Sequence, residues 1–158
     1  MNLTRLLCSI ALCEGVGVVA GLLTSSSVRT WYPELSKPWF TPPGWVFGPA
    51  WFFLYLLMGI SLYLIWQKQD TLSTPAGTMF FVQLALNGLW SLVFFTFRSP
   101  FWAFIEITLL WLAILLTVIL FLRIVPAAGY LLIPYLLWVS FASVLTFSVW
   151  RMNPGMGG

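Results

Sequence analysis

The sequence predicts an all-α membrane protein, a bundle of five transmembrane helices with a structured loop between the first two. Of the 158 residues, 61% are hydrophobic and only 7% are charged, whereas soluble domains have about 25% charged residues. Five apolar segments have the length of about 20 residues that is needed to cross a bilayer. One domain, residues 1–151, contains all five, and we expect the glycine-rich tail, residues 152–158, to be flexible.

The first predicted helix covers residues 3–23. It contains Glu14, which is costly in hydrocarbon and is therefore expected to face protein or water. Gly17 and Gly21 are spaced one helical turn apart, and small residues at this spacing let membrane helices approach closely. The spacing fits close packing inside one chain, and it also fits a homodimer seam at Gly17 and Gly21.

The next stretch, residues 24–43, is predicted to be a lid over one end of the bundle. Between Trp31 and Trp51 the chain contains five prolines and four tryptophans. Proline resists helix interiors, and tryptophan suits the boundary between membrane and water. Because proline is tolerated in the first turn of a helix, Pro43 places the start of the second helix at residues 44–66.

Three further helices complete the bundle, and a proline at position 126 precedes the last of them. They are predicted at residues 79–97, 101–122 and 128–150. Gln83, Asn87 and Ser91 follow one another at intervals of four residues, so they lie on one face of the third helix. This polar stripe either joins helices by hydrogen bonds or supplies donors at the floor of a ligand cavity.

Basic residues are distributed unevenly between the two ends of the predicted bundle. The end with the lid carries four of the seven: Arg29, Lys37, Arg98 and Arg151. The excess of positive charge predicts that the lid and the C-terminus are cytoplasmic. The seven basic residues form no run, and nucleic-acid binding needs a clustered basic face, so we expect no nucleic-acid partner.

Aromatic residues share helix faces in the second and fifth predicted helices. Trp51 and Tyr55 lie on one face, and Tyr135, Trp138 and Ala142 lie on another, at offsets of three and four. Such stripes often fill a core, but a small residue beside large aromatic ones leaves space for a cavity. An aromatic cavity suits a large, flat, hydrophobic ligand.

Several classes of chemistry are excluded because the residues they need are absent. The sequence has no histidine, which excludes imidazole ligation of haem and histidine-based catalysis. It has no cluster of carboxylates for a divalent metal and no glycine motif for a nucleotide. We therefore expect no metal site, no cofactor, and no conventional hydrolase or ATPase.

Motifs in the lid and in four helices resemble the TspO/MBR family, which comprises tryptophan-rich sensory proteins, translocator proteins and peripheral-type benzodiazepine receptors. They are Trp31-Tyr32, Lys37-Pro38, Pro42-Pro43-x-Trp45, Gly48-Pro49-Ala50-Trp51, Gln83-Leu84-Ala85-Leu86-Asn87, Pro134-Tyr135-Leu136-x-Trp138 and Phe141-Ala142-Ser143-Val144-Leu145. The similarity extends over residues 31–151. Phe147 occupies the position of a tyrosine in the cholesterol motif of animal members, which favours a bacterial, tetrapyrrole-related role.

The resemblance implies a receptor-like or transporter-like regulator of porphyrin handling and stress response in a bacterial cell membrane. Its ligands would be protoporphyrin IX and haem-related tetrapyrroles, isoquinoline carboxamide or benzodiazepine drugs, and sterols or lipids, and it would form a homodimer. Carried over by position, the ligand site comprises Tyr32, Pro42, Trp51, Asn87, Ser91, Tyr135, Trp138 and Ala142.

Two alternatives stand beside this function, and the first of them follows from the same resemblance. The first is enzyme-like: light-dependent degradation of protoporphyrin, with Trp51 and Trp138 as catalytic residues, because an indole can donate an electron to a photoexcited ring. The second is a regulator that binds a sterol or lipid or acts by protein contact alone.

Overall fold

The structure, a computed structural model, describes residues 2–68 and 74–155. Its helices are α1 (Leu3–Thr30), α2 (Gly44–Trp66), α3 (Pro75–Ser91), α4 (Pro100–Ile124), α5 (Pro126–Leu131) and α6 (Ile133–Met152). A 3₁₀ turn, Tyr32–Glu34, follows α1, and a π-helical turn, Leu92–Thr96, extends α3. The described residues form helices, turns and loops without a strand, so the prediction of an all-α fold is confirmed.

Five helical stretches are long and apolar enough to cross a membrane. They are α1, α2, α3 with its π-helical turn, α4, and α5 together with α6, and their mean hydropathies lie between 1.6 and 2.6. Large apolar side chains cover the outside of the bundle; Leu22, for example, is 71% exposed. Such a surface is stable in lipid but not in water.

The first helix is longer than we predicted, so the lid is shorter. Residues 24–30, which we assigned to the lid, are helical, and the loop covers only residues 31–43. The hydroxyls of Thr24 and Thr30 donate to the carbonyls of Ala20 and Ser26 at 2.8 and 2.9 Å. These back-bonds satisfy the polar side chains on the helix itself. The polar run from Thr24 to Ser27 therefore does not end the helix.

Proline and a capping threonine set two other helix boundaries. The third helix begins at Pro75 rather than at residue 79. The Oγ1 of Thr74 accepts a hydrogen bond from the N–H of Gly77 at 3.2 Å, which satisfies one of the free donors of the first turn. The last span is divided into α5 and α6 at Leu132, because the ring of Pro134 clashes with a carbonyl four residues earlier.

The start of the predicted tail is fixed to the lid by Asn153. Its Oδ1 accepts from the N–H of Ser36 at 3.0 Å, and its Nδ2 donates to the carbonyls of Ser36 and Val149 at 2.9 and 2.7 Å. Asn153 is buried. Its amide thus holds the chain against the lid at this position; the flexibility of residues 152–158 stays a prediction, and residues 156–158 lie outside the described part of the chain.

The lid folds back onto the bundle. Two of its side chains, Trp31 and Leu35, belong to a second, smaller apolar cluster. The other members of this cluster come from the π-helical turn, α4 and α6: Phe94, Ala103 and Val149. Within the lid, the ammonium group of Lys37 donates to the carbonyls of Tyr32, Pro33 and Leu35 at 2.9, 3.2 and 2.8 Å. These contacts confirm a structured loop between the first two helices.

Candidate ligand-binding cavity

A cavity of about 790 Å³ lies beneath the lid, between α1, α2, α3 and α6. Ligand pockets commonly have about 300–1,000 Å³. Its aromatic lining residues come from the lid and three helices: Tyr32, Phe47, Trp51, Phe52, Tyr55, Trp90, Phe94, Phe95 and Trp138. Both the size and the lining suit a large aromatic guest.

Two tryptophans from different helices form one wall. The rings of Trp51 and Trp138 are 6.4 Å apart and nearly perpendicular, at 86°, which is the edge-to-face arrangement that aromatic pairs prefer. Phe47 contacts Trp138 in the same way at 6.0 Å. Ala142 lies one turn further along α6 and also lines the cavity. Its methyl group leaves the space that a larger side chain would fill.

Tyr32 covers the cavity from the 3₁₀ turn of the lid. Its ring lies 5.6 Å from that of Phe95 and 6.3 Å from that of Phe94. The ammonium of Lys37 lies 4.9 Å from its centroid, a cation–π contact. Burial raises the pKa of the Tyr32 hydroxyl above its ordinary value. The hydroxyl is therefore neutral at physiological pH and can donate a hydrogen bond.

A buried polar network lies below the cavity. The hydroxyl of Tyr55 donates to Oδ1 of Asn87, and Nδ2 of Asn87 donates to the hydroxyl of Tyr135 at 2.8 Å. The three residues belong to α2, α3 and α6, and all three are buried. Of the three, only Tyr55 lines the cavity. The network joins three helices beneath the cavity and supports its aromatic walls.

The structure brings together most, but not all, of the predicted site residues. Five of the eight line the cavity: Tyr32, Trp51, Ser91, Trp138 and Ala142. Asn87 and Tyr135 lie behind the cavity wall, in the polar network. Pro42 lies in the lid, half-buried and outside the lining. The polar stripe of α3 therefore divides, with Asn87 joining helices and Ser91 facing the cavity.

The two glycines that we assigned to a dimer seam both line the cavity. A Cβ at Gly17 would collide with the ring of Tyr55, whereas a Cβ at Gly21 would meet nothing within 4 Å. Gly17 thus faces another helix of the same chain. Close packing of α1 on α2 explains the small residue at this position without a second subunit.

The same two helices touch at one end and separate at the other. A Cβ at Gly59 would lie 2.6 Å from the Cα of Ile10, so the backbones are in contact far from the lid. Near the lid, a Cβ at Gly44 or Gly48 on α2, or at Gly21 on α1, would meet nothing within 4 Å. The separation leaves a cleft between α1 and α2 beside the cavity.

This cleft opens sideways, toward the surface that would contact lipid. Val18 on α1 and Phe52 on α2 line the cavity, yet they are 59% and 61% exposed. The cavity is therefore closed above by the lid but accessible from the side.

Sequence reasoning missed several lining residues, chiefly those of α1 and of the π-helical turn. They include Glu14, Arg29, Lys37, Trp90, Phe94 and Phe95. In the sequence, the adjacent aromatic residues Phe94 and Phe95 could have indicated this part of the lining. For α1 the available signals were weaker: the glycines at 17 and 21 and the single carboxylate of Glu14. Among the described residues, no three Cys, Asp or Glu side chains come close enough to hold a metal ion.

Comparison with known proteins agrees with this architecture. The TspO/MBR family model matches residues 9–151. A tryptophan-rich protein TspO from Archaeoglobus fulgidus is 40% identical over 97% of this chain and 99% of its own length. The human translocator protein is 39% identical over 81% of this chain and 78% of its own. A tryptophan-rich sensory protein from Cereibacter sphaeroides is 34% identical over 97% and 94%.

The family match covers most of the chain: it includes the lid, the three middle spans, and most of the first and last spans. The chain is an integral membrane protein that belongs to the TspO/MBR family.

Proposed function

We propose that the protein binds tetrapyrroles such as protoporphyrin IX in the cavity beneath the lid, as a receptor-like or transporter-like regulator of porphyrin handling and stress response. The observation that carries the proposal is the aromatic-walled cavity of about 790 Å³ with Trp51 and Trp138 edge to face. Flat aromatic rings stack on such walls and bury a large apolar area. Isoquinoline carboxamide or benzodiazepine drugs, and sterols or lipids, are further candidate ligands for the same apolar space.

The proposal also includes a homodimer and a place in a bacterial cell membrane, with the lid and the C-terminus in the cytoplasm. The lid end carries four of the seven basic residues: Arg29, Lys37, Arg98 and Arg151. Positive residues are enriched on the cytoplasmic side of membrane proteins. The cavity would then be closed toward the cytoplasm by the lid and open toward the bilayer.

Protoporphyrin IX should quench the tryptophan fluorescence of the purified protein in a saturable way. Ala142→Phe should weaken binding at least about tenfold, because it fills the space beside Trp138 that the ligand needs. Ala127→Phe is the matched control, since Ala127 is exposed and lies outside the cavity. Titration in neutral detergent micelles measures both affinities. Without saturable quenching of the unmodified protein, a regulator that acts by protein contact becomes the better proposal.

A second candidate function is the light-dependent degradation of bound protoporphyrin. The geometry that favours it is the pair of indoles, Trp51 and Trp138, which both line the cavity with ring centroids 6.4 Å apart. An indole held against a photoexcited ring is positioned to donate an electron to it. No histidine or metal is needed for this step.

Illumination in air of the protein with bound protoporphyrin should bleach the porphyrin faster than in protein-free micelles. Trp51→Phe combined with Trp138→Phe should remove this acceleration while binding persists, because phenylalanine keeps the aromatic wall but is a far poorer electron donor. Trp39→Phe is the control, since Trp39 is 95% exposed. Absorbance of the porphyrin is followed over time. Bleaching at the unmodified rate in the double variant would remove the catalytic roles.

A further inference from the structure

Charge is distributed unevenly along the cavity. Its lining includes two cations near the lid, Arg29 and Lys37, and one carboxylate, Glu14, deeper in the bundle. Arg29 and Glu14 are separated by fifteen residues on α1, or by roughly 22 Å at 1.5 Å per residue. Between them the walls are mainly apolar and aromatic, with a few hydroxyl groups such as those of Thr24 and Ser25. A ligand that matches this cavity has an apolar body and a negatively charged end near the lid.

The two cations differ in whether they are free to bind a ligand. The ammonium of Lys37 already donates to three carbonyls of the lid and lies over the ring of Tyr32. Arg29 is exposed in the last turn of α1. Within residues 2–68 and 74–155, its guanidinium makes no hydrogen bond or ion pair with another residue. Arg29 is thus the cation of the cavity with its donors unused.

Arg29 also lies at the open end of the cleft between α1 and α2. It follows Gly21 and Ser25 along the cavity-lining side of α1, at offsets of four residues, so the three lie on one helix face. Gly44 and Gly48 line the opposite side of the cleft. A ligand whose rings lie between these helices would bring its end group to the guanidinium at the membrane surface.

We propose that Arg29 selects ligands that carry a carboxylate, by pairing with that group at the mouth of the cleft while the apolar rings occupy the cavity. This inference rests on the proposed tetrapyrrole function and adds the group that determines specificity. A guanidinium is suited to the role because its planar fork of N–H donors matches a carboxylate in a bidentate way. An ester of the same ligand offers no negative charge to this fork.

The test compares one ligand with and without its carboxylates. Protoporphyrin IX and its dimethyl ester are titrated against the unmodified protein, Arg29→Gln and Arg29→Lys in a neutral detergent without phospholipid. Arg29→Gln should weaken binding of the diacid about tenfold and leave binding of the ester unchanged. Arg29→Lys should bind the diacid more tightly than Arg29→Gln does but less tightly than the unmodified protein, since lysine keeps the positive charge but lacks the planar fork of N–H donors.

Arg151→Gln is the matched control. Arg151 lies at the same end of the bundle, is exposed, and is outside the cavity lining, so it reports the general effect of removing one positive charge. An equal loss for the diacid in Arg151→Gln and Arg29→Gln would overturn the inference in favour of long-range attraction. An equal loss for diacid and ester in Arg29→Gln would overturn it in favour of a purely structural role.

The outcome also separates this inference from the proposed function. If neither ligand binds the unmodified protein, the tetrapyrrole proposal fails. If both ligands bind the unmodified protein and Arg29→Gln with unchanged affinities, tetrapyrrole binding stands and the role of Arg29 is wrong.

Discussion

Replacing Asn87 by leucine should destabilise the folded protein by about 2 kcal/mol. The side chain of Asn87 accepts a hydrogen bond from Tyr55 and donates one to Tyr135, and all three residues are buried. Leucine is similar in size but leaves the hydroxyl of Tyr55 without its acceptor and that of Tyr135 without its donor. Asn87→Leu therefore tests the polar network that joins α2, α3 and α6.

Two general magnitudes bound this expectation. An orphaned buried polar group costs about 1–3 kcal/mol in proteins, which gives an upper value of roughly 6 kcal/mol for two such groups. Hydrogen bonds between membrane helices average about 0.6 kcal/mol, because polar groups of the unfolded chain also find partners in the membrane. Two bonds at this lower value give roughly 1.2 kcal/mol. The expected result lies between these limits and nearer the lower one.

The control for Asn87→Leu is the same substitution in a background with Tyr55→Phe and Tyr135→Phe. In that background no hydroxyl is left unpaired, and replacing all partners by apolar groups of similar shape is nearly neutral. Unfolding by denaturing detergent in mixed micelles measures the free energies. If Asn87→Leu costs the same in both backgrounds, the loss is one of packing and the network does not stabilise the bundle.

Gly59→Leu should have a still larger effect, about 3 kcal/mol or more, and should prevent α1 from packing on α2. A Cβ at Gly59 would lie 2.6 Å from the Cα and 3.0 Å from the backbone nitrogen of Ile10. Backbone atoms cannot rotate away from a new side chain, so the two helices must move apart. Overpacking of this kind costs about 1–3 kcal/mol and occasionally more. Thermal unfolding in detergent micelles measures the change.

Gly21→Leu is the matched control, because it makes the same change inside α1, the other helix of the pair. A Cβ at Gly21 meets nothing within 4 Å, and leucine is a better helix former than glycine by about 0.5–1 kcal/mol. Gly21→Leu should therefore leave stability unchanged or raise it slightly. Equal losses of stability in the two variants would contradict the contact between α1 and α2 at Gly59.

The contact at Gly59 also matters for the cavity. With the helices held together at Gly59 and Gly17, their opposite ends can separate toward the lid and leave the cleft. The lid is held over the same end by Asn153, which pairs with both backbone polar groups of Ser36. Close contact at one end and a fixed lid at the other leave the side of the cavity between α1 and α2 as its open face.

The amino-acid sequence by itself determined the membrane class, the five spans and a structured lid. Continuous apolar segments of about 20 residues are long enough to cross a bilayer as helices, which satisfy the backbone hydrogen bonds within each segment. The start of α2 followed from Pro43, and the predicted range 44–66 coincides with the helix Gly44–Trp66. The end of α1 did not follow, because Thr24 and Thr30 bond back to their own helix although such residues usually favour turns.

Only the tertiary structure decided which side of α1 faces the cavity and how the polar stripe of α3 divides. In a membrane, apolar residues cover the lipid-facing and the buried sides of a helix alike, so hydrophobic periodicity does not distinguish them. The packing of α1 on α2 directs Gly17 toward Tyr55, and the packing of α3 places Asn87 behind the wall while Ser91 faces the cavity. Arg29 became a candidate ligand-binding residue for the same reason: its position at the cleft depends on how two helices separate, which is a property of their contacts.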